Sequence, residues 1–237
     1  MQLTVRQAAR CLGVTESALE RWVEQGELPA TRVDDQYRLN RVDLLEWAAE
    51  RHLAVSPEIL EEPGARPERM PRFSDCVRAG GIHRGVPGSD KQSLLRAVAD
   101  LIPVPLGTDR TFLFQMLLAR EKLGSTAIGN GIAIPHPRDP IVLRVQAPSV
   151  TICMLEEPAE FEAFDGKPVH TLLVLVTPSV RMHLHVLSVT ASVLHDPRIP
   201  PRLAARDSPE AILAEIEGVE AALARARAEA LDGSDAE

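Results

Sequence analysis

The chain has 237 residues, of which 45% are apolar, enough to bury one sizeable core or two modest ones. Its formal net charge of −8 excludes a uniformly basic nucleic-acid-binding coat, although it leaves room for a local basic patch. The three scattered cysteines form no CxxC pair, no apolar run reaches the roughly 20 residues of a membrane helix, and the N-terminus lacks a signal-peptide pattern. We therefore expect a reduced, cytoplasmic protein with no membrane contact.

Residues 1–53 carry the pattern of a small helical domain. Two helical patterns, TVRQAARCLG and TESALERWVEQGELP, follow one another, and Thr4 and Thr15 stand where helix N-caps are expected. The alternating segment ATRVDDQYRLN predicts a hairpin with its turn at Asp34-Asp35. The stretch RVDLLEWAAERHL predicts a third helix, so the order is helix, turn, helix, hairpin, helix.

A change of composition divides the chain after this domain. Residues 54–71 contain four prolines and many charges, which predicts a linker because such a segment cannot bury a core. The second domain is expected at 72–220, followed by a charged tail at 221–237 that continues the last helix. Helical and strand patterns alternate in it, which predicts an α/β arrangement with a sheet covered by helices. The expected helices are 90–102, 109–122, 181–195 and 208–220, and the expected strands are 148–155 and 169–177.

One histidine of the second domain, His136, lies in an unusual setting, GNGIAIPHP at 129–137. The glycines permit unusual backbone angles, Ile132, Ala133 and Ile134 resemble a short buried strand, and a proline on each side of the histidine fixes φ. We expect this imidazole to be presented to a partner as a base, a metal ligand or a nucleophile. Because no serine elbow, CxxC or HExxH accompanies it, the nucleophile is favoured, with a structural histidine as the alternative.

A resemblance to a known family begins at residues 120–137, which read REKLGSTAIGNGIAIPHP. This segment resembles the phosphorylation-site motif of the type-2 enzyme IIA domains, the fructose- and mannitol-class carriers of the bacterial phosphotransferase system and their nitrogen-regulatory relatives. Residues 73–86, 160–178 and 183–197 resemble further segments of the family in the same order. The resemblance implies a mixed sheet covered by helices, a histidine-containing phosphocarrier protein as partner, and no cofactor or metal.

The same resemblance implies roles for three residues. His136 would be the nucleophile, mostly through Nε2 in this family, and Arg120 would contact the phosphoryl oxygens with its planar guanidinium. The family also has a second histidine, for which the sequence offers His183 and His185. Residues two apart on a helix point about 200° from each other, so only one can face His136, and the family alignment favours His183. A zinc site of these three histidines is a weaker alternative, because no cysteine or carboxylate motif accompanies them.

The N-terminal domain resembles the small winged helix-turn-helix DNA-binding domain of the excisionase and MerR-like family. The resemblance is carried by LTVRQAARCLGV, ALERWVEQGELPATRV and YRLNRVDLLEWA within residues 2–50. It implies that the second helix enters the major groove with Ser17 and Arg21, and that Arg32 and Arg38 flank the wing. Arginine can bind a phosphate or a guanine edge in a bidentate manner.

The charge of this domain supports an alternative. Residues 1–53 contain seven Arg and nine Asp or Glu, a balance of −2, whereas affinity for nucleic acid rises with the number of cationic phosphate contacts. The domain is therefore also interpreted as a module for protein contacts, with its arginines as solvated surface residues.

Three functional hypotheses follow. The first is a phosphorylation-dependent transcriptional regulator, in which His136 accepts a phosphoryl group and the N-terminal domain binds DNA. The second is a phosphotransfer component of the sugar or nitrogen-regulatory branch whose N-terminal domain binds a protein. The third is an enzyme IIA-like binding module that never carries phosphate. Whether the protein forms a homo-oligomer is left open.

Overall fold

The chain divides into two compact units, one made mainly of Met1–Arg69 and the other mainly of Met70–Pro178 with Met182–Glu237. The computed structural model describes residues 2–33, 36–51, 56, 70–138, 143 and 145–234. Apart from Ser56, Met70 and Pro71, the predicted linker at 54–71 therefore lies outside the described residues. In the described part of the chain, no helix is both long enough and apolar enough to cross a membrane.

Within the described residues, the first unit contains a three-stranded antiparallel sheet and three helices. In chain order the elements are β1 (Gln2–Thr4), α1 (Val5–Leu12), α2 (Glu16–Glu24), β2 (Thr31–Val33), β3 (Gln36–Asn40) and α3 (Arg41–Glu50). The predicted order of helices and hairpin strands is confirmed, and the predicted turn at Asp34-Asp35 lies outside the described residues. The sequence analysis missed β1, which pairs with β3 and makes it the central strand.

Helix caps explain where α1 and α2 begin. The Thr4 hydroxyl accepts the Gln7 backbone N–H at 3.2 Å while the Gln7 side chain accepts the Thr4 N–H at 2.9 Å, which is a capping box. The Thr15 hydroxyl accepts the Ala18 N–H at 3.3 Å. Gly13 ends α1 at φ +66°, a left-handed value that favours glycine. Both predicted N-caps are therefore confirmed.

The second unit is built on a five-stranded mixed sheet of order β4-β7-β8-β6-β5. Its strands are β4 (Ile82–Val86), β5 (Ala127–Gly129), β6 (Ile132–Ala133), β7 (Ser149–Ala159) and β8 (Val169–Val176). Its helices are α4 (Phe73–Gly80), α5 (Lys91–Leu101), α6 (Arg110–Glu121), α7 (Val180–His195), α8 (Ile199–Ala204) and α9 (Pro209–Ser234). The pairs β4–β7 and β6–β8 are parallel, whereas β7–β8 and β5–β6 are antiparallel. The predicted α/β class is confirmed.

Strand alternation divides the core of this unit into two layers. On β7, Cys153 and Leu155 face one apolar cluster, while Ile152 and Met154 face the other. The first cluster is completed by residues of α5 and α6, and the second by residues of α4, α7, α8 and α9. The sheet is thus covered by helices on both sides, and both faces of β7 and β8 are apolar for this reason.

The longer elements match the predicted ones, whereas the shorter ones were missed. Asp90 and Asp109 cap α5 and α6 by accepting the N–H groups of Ser93 and Thr111, each at 2.8 Å, so both helices begin where the sequence indicates. Helix α9 runs to Ser234 and includes most of the predicted tail. The predicted elements do not include α4, β4, β5 or α8, of which β4, β5 and α8 are too short to show a clear period.

Two helical glycines give a test of the packing between α4 and β7. A Cβ atom on Gly80 would overlap the backbone carbonyl of Val150, which cannot rotate away, whereas a Cβ on Gly218 of α9 would have no neighbour closer than 4.0 Å. We expect Gly80→Ala to lower the free energy of unfolding of the second unit by about 1–3 kcal/mol or more. Gly218→Ala is the matched control and should raise it by about 0.5–1 kcal/mol. Urea denaturation measures both, and equal effects would contradict the close approach of α4 to β7.

Candidate functional site

His136 is carried by a tight hairpin. Strands β5 and β6 are joined by Asn130 and Gly131, which have φ +53° and φ +73°. Two successive residues with positive φ form the two-residue turn whose twist suits a hairpin, and Asn-Gly is its preferred sequence. This hairpin is not among the elements predicted from the sequence, although the Asn-Gly pair was the signal for it.

Hydrogen bonds with residues 165–171 hold the hairpin in place. The Asp165 carboxylate accepts the Asn130 N–H at 2.8 Å, and this hydrogen bond is the main reason why the pKa of Asp165 is lowered. The Gly131 carbonyl accepts the N–H groups of His170 and Thr171 at 2.8 and 3.1 Å. A side chain at Gly131 would overlap the His170 ring, which would have to move, and the φ of +73° itself favours glycine.

The His136 imidazole is buried directly beyond the end of β6. The Pro135 carbonyl accepts the Leu175 N–H of β8 at 3.1 Å, so the backbone before the histidine stays attached to the sheet. Nδ1 of His136 lies 2.8 Å from the Ile134 carbonyl oxygen. The residue is 4% exposed. The expectation that this imidazole is not packed away is corrected, because the hairpin and β8 hold the ring inside the unit, while its presentation to a partner stays a prediction.

Arg120, in the last turn of α6, contacts the other nitrogen of the same ring. Its Nε donates to Nε2 of His136 at 3.2 Å, and its Nη1 donates to the Gly124 carbonyl at 3.2 Å. A guanidinium has only donors and a carbonyl can only accept, so Nε2 must carry a lone pair and Nδ1 must carry the proton. The contacts thus define a tautomer in which Nδ1 carries the proton and Nε2 the lone pair.

The two histidines of α7 point in different directions. The ring of His183 is buried, and its centroid lies 5.0 Å from that of His136 at an interplanar angle of 49°. Nε2 of His185 lies 3.1 Å from the Pro71 carbonyl oxygen. The structure therefore brings His183, and not His185, to His136, as the helical geometry required. The role of His183 stays a prediction.

Among the described residues, no arrangement of side chains supports the zinc alternative. No group of three or more His, Cys, Asp or Glu side chains there is placed to bind a metal ion. His185, which the zinc hypothesis needs, points to Pro71 instead. His170 lies beside the hairpin with Nδ1 2.9 Å from the Thr171 hydroxyl, and burial lowers the pKa of this histidine.

The predicted DNA-contacting residues of α2 lie on its solvent-exposed side. Ser17 and Arg21 are both exposed and stand one helical turn apart. Glu20 and Glu24 are also exposed and share this face, because they follow Ser17 by three and seven residues. The face that the family resemblance assigns to DNA therefore carries two carboxylates and one guanidinium.

The strands of the first unit separate the other two predicted arginines. Arg32 of β2 pairs with Tyr37 of β3, whereas Arg38 of β3 pairs with Thr31. Directly paired residues share a face and neighbours along a strand alternate, so Arg32 and Arg38 point to opposite faces of this sheet. Arg32 is exposed and Arg38 is half-buried, with its Nη2 at 3.4 Å from the Gln36 side-chain oxygen. That Arg32 and Arg38 flank a DNA-contacting wing stays a prediction, and the pleat adds that they do so from opposite faces of the sheet.

Sequence reasoning missed the groups that orient Arg120 and His136. Two of them are the backbone carbonyls of Gly124 and Ile134, and a residue letter gives no information about where its carbonyl points. The burial of Glu121, a carboxylate that is 4% exposed at the end of α6, was missed as well. Its signal in the sequence was a charged residue beside Arg120 at a helix end, but nothing there indicates its burial.

Two family models match this chain. The family described as "Phosphoenolpyruvate-dependent sugar phosphotransferase system, EIIA 2" matches residues 77–219, and a helix-turn-helix domain matches residues 3–52. The second match shows a helix-turn-helix domain at the N-terminal end of the chain, in agreement with α1 and α2.

Relatives and solved structures agree with the first match. The chain is 37% identical over 146 residues to a nitrogen regulatory protein of Pseudomonas aeruginosa, covering 60% of this chain and 93% of the relative. It is 41% identical over 123 residues to a nitrogen regulatory protein of Klebsiella oxytoca, covering 51% of this chain and 74% of the relative. The complex of enzyme IIA mannitol and phosphorylated enzyme IIB mannitol from Escherichia coli aligns with a TM-score of 0.50 and 23% identity, covering 59% of this chain and 96% of that one. This last likeness concerns the fold alone.

Proposed function

Since the chain belongs to the phosphoenolpyruvate-dependent sugar phosphotransferase system EIIA 2 family, we propose that Nε2 of His136 accepts a phosphoryl group from a histidine-containing phosphocarrier protein. The observation that carries this proposal is the pair of hydrogen bonds on the imidazole. Nδ1 is bonded to the Ile134 carbonyl and Nε2 accepts from Arg120, so the nitrogen that keeps its lone pair is also the one beside a cation.

In the proposed step, the Nε2 lone pair attacks phosphorus in line as the donor's P–N bond breaks. The electron pair of that bond returns to the donor imidazole, and a new P–N bond forms at Nε2. The His136 ring gains positive charge as it gives up its lone pair, and the Nδ1–H···O=C bond to Ile134 stabilises that charge. Positioning and charge neutralisation supply the catalysis, as is general for phosphoryl transfer.

Arg120 changes partners in this step. In the free imidazole its Nε donates to the Nε2 lone pair, which the new P–N bond consumes. The guanidinium then donates to phosphoryl oxygens instead, for which its planar set of donors is suited. His183 is proposed to fix the plane of the ring through its contact at 5.0 Å.

The relatives favour a regulatory branch over sugar uptake for this chain. Proteins 37% and 41% identical to it are named nitrogen regulatory proteins. We therefore assign the second unit to phosphoryl-dependent signalling, with the phosphocarrier as donor.

The helix-turn-helix domain suggests the output of this signal. Its presence in the same chain supports a transcriptional regulator that binds DNA through Ser17 and Arg21, and whose DNA affinity depends on the state of His136. A phosphoryl group adds nearly two negative charges at neutral pH. In a chain whose net charge is already −8, we expect phosphorylation to lower the affinity for DNA.

A second candidate function rests on the charges of α2. Glu20 and Glu24 lie on the same exposed face as Arg21 and would repel phosphate groups. This favours a phosphotransfer component whose N-terminal domain binds the basic surface of a protein. Charge variants on this face separate the two functions. Removal of a carboxylate should raise the affinity for DNA and lower the affinity for a basic protein.

The first prediction concerns the phosphorylated atom. Incubation with phosphoenolpyruvate and the general phosphotransfer proteins should add one phosphoryl group, measured by intact mass, which acid removes and base does not. His136→Ala should abolish the increment. His185→Ala is the matched control and should retain it, because that ring faces Pro71. An increment that persists in His136→Ala would refute the assignment.

The second prediction concerns the geometry of the guanidinium. Arg120→Lys keeps the charge but cannot donate to Nε2 and to the Gly124 carbonyl in the same arrangement. We expect the rate of phosphoryl transfer to fall by roughly 10- to 100-fold while the domain stays folded. Arg96→Lys, at an exposed position on α5, is the control and should leave the rate unchanged. An unchanged rate in a folded Arg120→Lys protein would show that Arg120 has only a packing role and takes no part in phosphoryl transfer.

The third prediction concerns the exposed face of α2. If it binds DNA, Arg21→Ala should weaken binding to a selected duplex and reduce the slope of log K against log salt by about 0.9 for each lost phosphate contact. Glu20→Gln should strengthen binding, because it removes a repulsive charge. Fluorescence anisotropy at two salt concentrations, on phosphorylated and unphosphorylated protein, measures both effects and the influence of His136.

The matched control on this surface is Arg10→Ala, an exposed arginine on α1 that is not assigned to DNA. Equal losses of DNA affinity in Arg10→Ala and Arg21→Ala would indicate that only non-specific electrostatic attraction is involved. No DNA affinity in either phosphorylation state would sink the regulator hypothesis and leave the protein-binding one.

A further inference from the structure

A buried ion pair lies next to the site, at the end of α6. Glu121 is 4% exposed, and its carboxylate accepts the Thr126 hydroxyl at 2.6 Å and the Thr126 N–H at 3.2 and 3.3 Å. Nζ of Lys91, the first residue of α5, lies 3.2 Å from the same carboxylate. Lys91 also pairs with Glu162 at 3.0 Å, at the protein surface. The buried charge of Glu121 is thus compensated by one cation and by both donors of a single residue.

These contacts close a ring of interactions around His136. The Thr126 carbonyl accepts the Ile134 N–H at 3.0 Å, and the Ile134 carbonyl is the partner of Nδ1. In the other direction, Glu121 follows Arg120 in the chain, and Arg120 contacts Nε2. Both nitrogens of the imidazole are therefore tied to the two ends of one short segment, 120–126, and the bond between Glu121 and Thr126 joins those ends.

We propose that Glu121, held by Lys91 and Thr126, is a positioning residue for phosphoryl transfer at His136, which sets the distance between the Arg120 guanidinium and Nε2. Its described contacts are with Thr126 and Lys91, so it would act on the reaction through Arg120, its neighbour in the chain. The inference rests on the proposed function for its kinetic part only. Its structural part, the placement of Arg120 on Nε2, holds in the unphosphorylated protein.

The physical reason for a charged residue here is rigidity. The segment 122–124 is exposed, contains Gly124, and would otherwise leave the Gly124 carbonyl and Arg120 free to move together. A charge-assisted bond of 2.6 Å in a buried setting is stronger than a neutral one, and it fixes both ends of the loop. Catalytic groups must be held this closely, because a misplacement of about 1 Å can reduce a rate by about 10²-fold.

Thr126→Val tests the bond with little change of shape. The variant loses the hydroxyl donor to Glu121 and keeps the backbone N–H. We expect the maximal rate of phosphorylation to fall by about tenfold, with an unchanged KM for the donor protein, because docking does not involve the buried bond. Thr151→Val is the matched control: that buried hydroxyl has no hydrogen-bond partner among the described residues, so its loss should leave the rate unchanged.

A double-mutant cycle separates positioning from general stability. If Thr126 and Glu121 act through Arg120, then Thr126→Val should change the rate by no more than about twofold in an Arg120→Lys background. An equal loss in both backgrounds, or no loss in either, would overturn the proposal. Glu121→Gln is the second variant, because it keeps the shape of the side chain and removes the charge. If the Glu121→Gln protein stays folded, its loss of phosphorylation rate should equal or exceed that of Thr126→Val.

A spectroscopic readout keeps this inference separate from the proposed function. In unphosphorylated full-length protein, the 15N shift of Nε2 of His136 and the slow water exchange of the Arg120 Nε–H report the hydrogen bond between them. Both should change in Thr126→Val and stay unchanged in Thr151→Val. If the wild-type protein accepts no phosphoryl group, the proposed function fails, while these signals still decide whether Glu121 positions Arg120. Unchanged signals in Thr126→Val would overturn the inference.

Discussion

Nδ1 of His136 donates a hydrogen bond to the carbonyl oxygen of Ile134, two residues earlier in the chain, at 2.8 Å. The residue between them is Pro135, whose ring fixes φ, and whose own carbonyl accepts the Leu175 N–H of β8. The plane of the imidazole is thus set by the sheet, and the proton on Nδ1 is set by a backbone atom that can only accept. Because a backbone carbonyl cannot change its chemistry with a point substitution, the tautomer depends on the fold itself.

The rest of the site is arranged around this constraint. The Asn130-Gly131 turn, with both residues at positive φ, returns the chain so that β6 pairs with β8 in parallel. The parallel pairing places the residues after β6 at the same edge of the sheet as the end of β8, and α7 then starts from that edge and brings His183 to the imidazole. Parallel strands end at a common edge, which is why three distant segments of sequence meet at one ring.

The sequence predicted those parts of the structure that depend on local chemistry. Asp90 and Asp109 indicate the starts of α5 and α6, Thr4 and Thr15 those of α1 and α2, and the apolar runs indicate β7 and β8. It did not predict that His136 is buried, because burial results from packing against β8 and α7, which are far away in sequence. It did not separate Arg32 from Arg38 either, since their faces depend on the register with β3. Partners such as the Gly124 carbonyl are determined by the path of the backbone and by no residue type.

The burial of His136 also limits how a phosphoryl group could affect the protein. The ring is 4% exposed and the Arg120 Nε donates to its Nε2, so a phosphoryl group formed at Nε2, as proposed, would require the guanidinium to move. That movement would alter the bond between Arg120 and the Gly124 carbonyl, within a segment whose Leu123 is 60% exposed. Glu121 and Thr126 hold the two ends of this segment, so the rearrangement is confined to the exposed residues between them. The proposed phosphoryl group on a buried atom would in this way change the surface at 122–124 without repacking the core, because the bond between Glu121 and Thr126 would keep the ends of the loop in place.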